Sequence, residues 1–166
     1  MRSQTGHGYS FVCRSFNRVD VSQHASHGSG SAHVHRKGPH SMLSVDAIYV
    51  QVFADRFAVR NVDSGESCEV QRDQTSVSPR MLIADFTMAQ HQLKEAVKAV
   101  RRGLRSPEIL MHPMERIEGG VTQVEYRVFV ELGMGAGGSK VGVHTGLPVS
   151  GDAVRKAIQD YKHHGA

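Results

Sequence analysis

Apolar and polar positions change their period along the chain, and each change marks an element. Ala47-Ile48-Tyr49-Val50-Gln51-Val52-Phe53 is β-branched and aromatic and predicts a strand. Asp55-Arg56 reads as a tight turn, Phe57 to Val62 as a second strand, Asp63-Ser64-Gly65-Glu66 as another turn, and Ser67 to Gln71 as a third strand. Short strands joined by tight turns make an antiparallel meander. The period then lengthens. Thr87-Met88-Ala89-Gln90 has the form of a capping box, and Ala89, Leu93, Val97, Val100 and Leu104 follow at helical spacing on one face. Arg101, Arg102 and Arg105 would close this helix at the negative end of its dipole.

Ile109-Leu110-Met111-His112, bounded by Pro107 and Pro113, reads as a short buried strand. Thr122-Gln123-Val124-Glu125 is a second capping box, with Val121 before it as a hydrophobic staple, and the helix runs through Val128 and Leu132 to a cluster of glycines. Lys140-Val141-Gly142-Val143-His144 predicts a fifth strand, and Val154, Ile158 and Tyr161 a last amphipathic helix. The order β-β-β-α-β-α-β-α, with right-handed crossovers, sets the last strands parallel to the first. The expected fold is an α/β domain with a five-stranded mixed sheet, an antiparallel meander followed by βαβα, of RNase-H-like or actin-subdomain type.

Residues 1–41 have no such pattern. They are rich in Ser, Gly and His, and bury too little apolar area to offset the entropy of ordering, so they read as a disordered tail ahead of a body spanning 42–166. Charge sharpens this division. The tail holds five basic residues (Arg2, Arg14, Arg18, Arg36, Lys37) and one acid (Asp20), a net of +4 that equals the excess of the whole chain. The body is therefore neutral and lacks the basic footprint of a nucleic-acid binder. His24-x-x-His27 and His33-x-His35 are spaced like metal ligands, but flexible Ser/Gly spacing supplies no geometry, and a solvated tail is the expectation. Met42 also reads as an alternative start, because the globular pattern begins directly after it.

Cys13 and Cys68 form no CxxC or ligand spacing, which argues against a disulfide scaffold or zinc module and suits a reducing compartment. No apolar run approaches the roughly 20 residues that span a bilayer, and a cytoplasmic location is expected.

Four segments carry a resemblance. Met81-Leu82-Ile83-Ala84-Asp85-Phe86-Thr87-Met88-Ala89, Gly120-Val121-Thr122-Gln123-Val124-Glu125-Tyr126-Arg127, Glu131 to Val141 and Gly146-Leu147-Pro148-Val149 stand in the order and spacing of segments of MreB, the rod-shape-determining family of bacterial actin homologues. The similarity runs from about Asp46 to Val149 and resembles the first subdomain of that fold. The family's "DLGTANT" loop, whose small residues admit ATP phosphates, falls here on Phe53-Ala54-Asp55-Arg56-Phe57, which has no glycine and carries a repelling Asp55. Its acidic "EEP" segment is replaced by Val143-His144-Thr145, and the second phosphate loop and adenosine pocket belong to later parts of the fold. The resemblance therefore implies a non-catalytic, single-subdomain protein acting by protein contacts in cell-shape or cytoskeletal organisation. Its partner would be a full-length bacterial actin homologue or a second copy of itself, with no cofactor, no catalytic residue and no metal.

Other motifs have structural readings beside chemical ones. Gly133-x-Gly135-x-x-Gly138 satisfies a dinucleotide fingerprint, yet it would end a helix and lead into a strand, the reverse of what phosphate binding needs. Asp46, Asp55, Asp85 and Glu108 invite a metal-dependent nuclease reading, but lie where turn and cap roles are expected. His112-Pro113-Met114-Glu115-Arg116-Ile117 follows the carboxyl end of a predicted parallel strand, the edge at which α/β domains place ligands. His112, Met114, Glu115, Arg116 and Ile117 are thus the candidate partner-contact residues, with a small-ligand or nucleotide-binding role for the same loop as the alternative.

Overall fold

In a computed structural model of the chain, residues 11–14, 44–72 and 81–160 are described. Their order is β1 (Phe11–Arg14), β2 (Ala47–Val52), β3 (Arg56–Asn61), β4 (Ser67–Gln71), α1 (Phe86–Val100), β5 (Glu108–Pro113), α2 (Gln123–Gly135), β6 (Lys140–Val143) and α3 (Asp152–Asp160). They form one sheet in the order β1-β4-β3-β2-β5-β6. The meander β2–β3–β4 is antiparallel, and β5 and β6 add parallel to β2. The expected mixed α/β sheet is thus present. It carries one more strand, because Phe11–Arg14, inside the segment read as tail, pairs antiparallel with β4. The tail histidines, Met42 and Tyr161 lie outside the described residues.

The helices divide unequally between the two faces of the sheet. Ile48, Val50, Val52, Phe57, Val59, Val70, Ile109, Met111 and Val141 point to one face and pack against Ala89, Leu93, Val97 and Val100 of α1 and Phe129 and Leu132 of α2. On the other face, among the described residues, Tyr49 and Leu110 form a smaller apolar cluster with Val154 and Ile158 of α3, with Val62, Val149 and Ala157 at the margin. The alternation of β3 and β4 shows the same asymmetry: Phe57, Val59, Cys68 and Val70 are buried, whereas Arg56, Ala58, Arg60, Ser67, Glu69 and Gln71 are half-buried or exposed.

Helix ends depart from the expected boundaries where a local hydrogen bond outcompetes the pattern. The N-cap of α1 is Asp85, whose carboxylate accepts from the Met88 N–H at 2.9 Å, so the Thr87 capping box does not form. α1 stops at Val100 rather than continuing to Leu104, which is 71% exposed. Buried Asp46 causes the stop: its carboxylate accepts from the N–H groups of Arg102 at 2.7 Å and Gly103 at 2.8 Å, drawing the chain out of helical register. Asn61 secures the same end by donating from Nδ2 to the Val100 carbonyl at 3.0 Å. Thr122 does form its capping box, with Glu125 at the third helical position.

Candidate contact groove and strand-end loop

β5 delivers the candidate residues to the carboxyl edge of the parallel strands. The ladder extends one step past the strand, where the Met114 N–H donates to the Val52 carbonyl at 3.0 Å. Each following side chain is then tied to a different neighbour. Met114 sulfur accepts from Gln51 Nε2 at 3.6 Å. Glu115 accepts the Ala54 N–H at 3.0 Å, and so places a carboxylate on the turn between β2 and β3. Arg116 stands in the left-handed region at φ 56° and donates from Nη1 to the Met81 carbonyl at 2.8 Å, bridging this loop to the segment ahead of α1. Left-handed backbone costs a non-glycine residue about 1 kcal/mol.

Beneath that bridge lies an apolar groove. Leu82, Ile83, Ile117, Val121 and Val124 line it along with Met81, between the segment before α1 and the first turns of α2. Leu82 and Ile83 are buried and form its floor, while Met81 at 44% and Val124 at 73% exposure form its open rim. Sequence reading singled out Ile117 but missed Met81, Ile83 and Val124 as groove residues. Val124 falls inside a capping box, where its outward aim depends on how α2 lies on the sheet.

His112 does not belong to this groove. It is fully buried on the opposite face of the sheet, among Tyr49, His144 and the loop after β6. The Tyr49 hydroxyl and His112 Nδ1 are 2.5 Å apart, and His112 Nε2 lies 3.1 Å from the Gly146 carbonyl. A carbonyl can only accept, so Nε2 carries the proton and Nδ1 accepts from the tyrosine. Burial lowers the His112 pKa, the neighbouring His144 lowers it further, and the Gly146 carbonyl partly opposes them. Burial likewise raises the pKa of Tyr49. The pair is a neutral tether that ties the 146–151 loop to the sheet. Tyr49, 63 residues away in sequence, was not foreseen as the partner. The five candidates are therefore split: Met114, Glu115, Arg116 and Ile117 share one loop, and His112 serves another.

The remaining motifs occupy structural positions. Gly133, Gly135 and Gly138 end α2 and lead into β6, and each is closely approached. A Cβ would lie 2.8 Å from Val141 at Gly133, 1.5 Å from the Gln90 side chain at Gly135, and 3.0 Å from the Gly133 carbonyl at Gly138. Asp46 and Asp85 cap backbone, and Asp55 pairs with Arg56 at 3.0 Å. Among the described residues no three His, Cys, Asp or Glu side chains are placed to share a metal ion.

No protein-family profile matches the chain. It is similar to YjaA, an uncharacterized protein of Escherichia coli K12, at 28% identity over 100 residues, which span 55% of this chain and 77% of YjaA. Among the described residues, no helix is long and apolar enough to cross a membrane.

Proposed function

We propose that the protein is a non-catalytic, MreB-like single subdomain that works through protein contacts in cell-shape or cytoskeletal organisation in a bacterial cytoplasm. The observation that carries this reading is the groove under Arg116, a shallow apolar depression of about 30 Å³ with an exposed Met81–Val124 rim. Exposed apolar surface of this kind, rimmed by charge, is what protein interfaces use. The MreB-like segments at Met81–Ala89 and Gly120–Arg127 supply both of its walls. The turn at Phe53–Phe57, where the resemblance would seat phosphate, adds support: its Ala54 N–H is occupied by the Glu115 carboxylate. Phosphate approaching there would meet a negative charge already in place.

The partner this reading implies is a full-length bacterial actin homologue. Calorimetric titration of the protein with such a purified homologue should give saturable binding, weakened at least tenfold by Val124→Glu, since burying a charge in an apolar contact costs more than 1.4 kcal/mol. Binding insensitive to Val124→Glu and Ile117→Asp, or no binding, would remove the groove from this role. Self-association at the same concentrations would assign the groove to a second copy. Micromolar binding of ATP and Mg²⁺ would sink the non-catalytic reading.

A further inference from the structure

The half of the sheet that α3 leaves uncovered holds a cavity of about 590 Å³, within the range of small-molecule sites. Its position follows from one small residue. On this face Ala58 sits between Gln51 of β2 and Glu69 of β4, its register partners across two ladders. A methyl group between two long side chains leaves a depression. The loop carrying Val149, tethered through Gly146 to His112, walls one side, and Tyr49 and Arg60 wall another.

Arg60 gives the cavity its chemistry. Its guanidinium lies 5.9 Å from the centre of the Tyr49 ring, a cation–π arrangement that holds the head group in place. Among the described residues no carboxylate comes within ion-pair distance of it. A held, unneutralised guanidinium at a cavity wall is a donor fork for a carboxylate. Glu69 lies on the same face one ladder pair away, since Arg60 faces Ser67 and Ala58 faces Glu69. A second negative charge on a ligand would meet it. The Tyr49 hydroxyl is committed to His112, so the ring offers its face and not its proton.

We propose that this cavity binds a small organic monocarboxylate with a planar, largely apolar body, the carboxylate on Arg60 and the body across Ala58 against Tyr49 and Val149. Polyphosphates and dicarboxylates are disfavoured by Glu69.

The test uses the full chain with indole-3-acetate and 4-hydroxyphenylacetate as probes, followed by calorimetry and by amide NMR shifts. Saturable binding is expected, with shifts centred on β3, β4 and residues 148–150. Arg60→Gln should weaken it by about tenfold or more, the cost of a lost charged hydrogen bond. Ala58→Leu, which fills the floor from a half-buried position, should abolish it while leaving the thermal transition cooperative. Glu69→Gln should let phthalate, a dicarboxylate, bind as well as the monocarboxylates. Failure of both probes to saturate at millimolar concentration would overturn the proposal. So would equal binding by the Arg60→Gln variant, or shifts confined to another face.

Discussion

The two faces of this sheet use the same strands to opposite ends. Toward α1 and α2, every inward residue of β2, β3, β4 and β5 except Asn61 is aliphatic, aromatic or sulfur-bearing among the described residues. Toward α3, the same strands present Tyr49, Gln51, Ala58, Arg60, Glu69 and His112, and a helix of nine residues covers only part of them. The first face supplies stability through area removed from water. The second gives up that area and keeps polar groups that a fully covered face could not hold. A difference of this kind separates what holds the fold from what is available to a ligand.

That division can be broken at its strong side first. Leu93→Ala, fully buried between α1 and the sheet, should cost about 3–5 kcal/mol in denaturant unfolding. Ile158→Ala, buried under α3, should cost less, about 2–3 kcal/mol, and raise amide exchange in α3 before it does so in β2. Equal losses with uniform exchange would mean that both faces unfold as one unit. Gly133→Ala should cost about 1–3 kcal/mol, because its Cβ would press on the stiff, β-branched Val141 at 2.8 Å. A Val141→Ala partner change should return part of that loss, and a purely additive double variant would discount the clash. Thr122→Ala should cost about 1 kcal/mol through the lost capping box, seen as a lower urea midpoint at unchanged slope.

The smallest effect is a dependence on pH. Burial depresses the His112 pKa in the folded state, so the unfolded chain binds the extra proton first as pH falls. Stability from this group is therefore full above the unfolded value of about 6.5 and declines as pH drops below it. Thermal midpoints recorded between about pH 5 and 8 should slope in that window for the natural chain. The slope should flatten for His112→Asn, and a variant with the same slope would assign it elsewhere.

Period and turn chemistry made the thick face legible in the sequence. β2 to β6 and the three helices lie where alternation and helical spacing place them, and the Thr122 box forms because both of its partners sit within one helical turn. Features that depend on residues far apart in the chain were not legible. Asp46 ends α1 from 56 residues away, so the row of arginines after Val100 looked helical when it is not. His112 and Met114 stand two residues apart in one candidate string, yet His112 is buried against the Tyr49 hydroxyl, one register pair away, while Met114 lies past the strand end against Gln51, and neither contact is written in the local pattern. The groove was half legible: Ile117 was singled out, whereas Met81 joins it through the Arg116 bridge, which no local pattern encodes. Phe11–Arg14 went unread as a strand because four residues amid Ser and Gly carry too short a period to register.

That short strand has a consequence for handling the protein. By lying along β4, β1 occupies backbone donors and acceptors that would otherwise form a free sheet margin. A fragment started at Met42 would lose this cover and present β4 as a bare template. Such a template invites strand exchange between molecules and slow oligomer growth. Trimming the amino-terminal segment for convenience would then raise the tendency to associate, and light scattering of the 42–166 fragment against the full chain would show it.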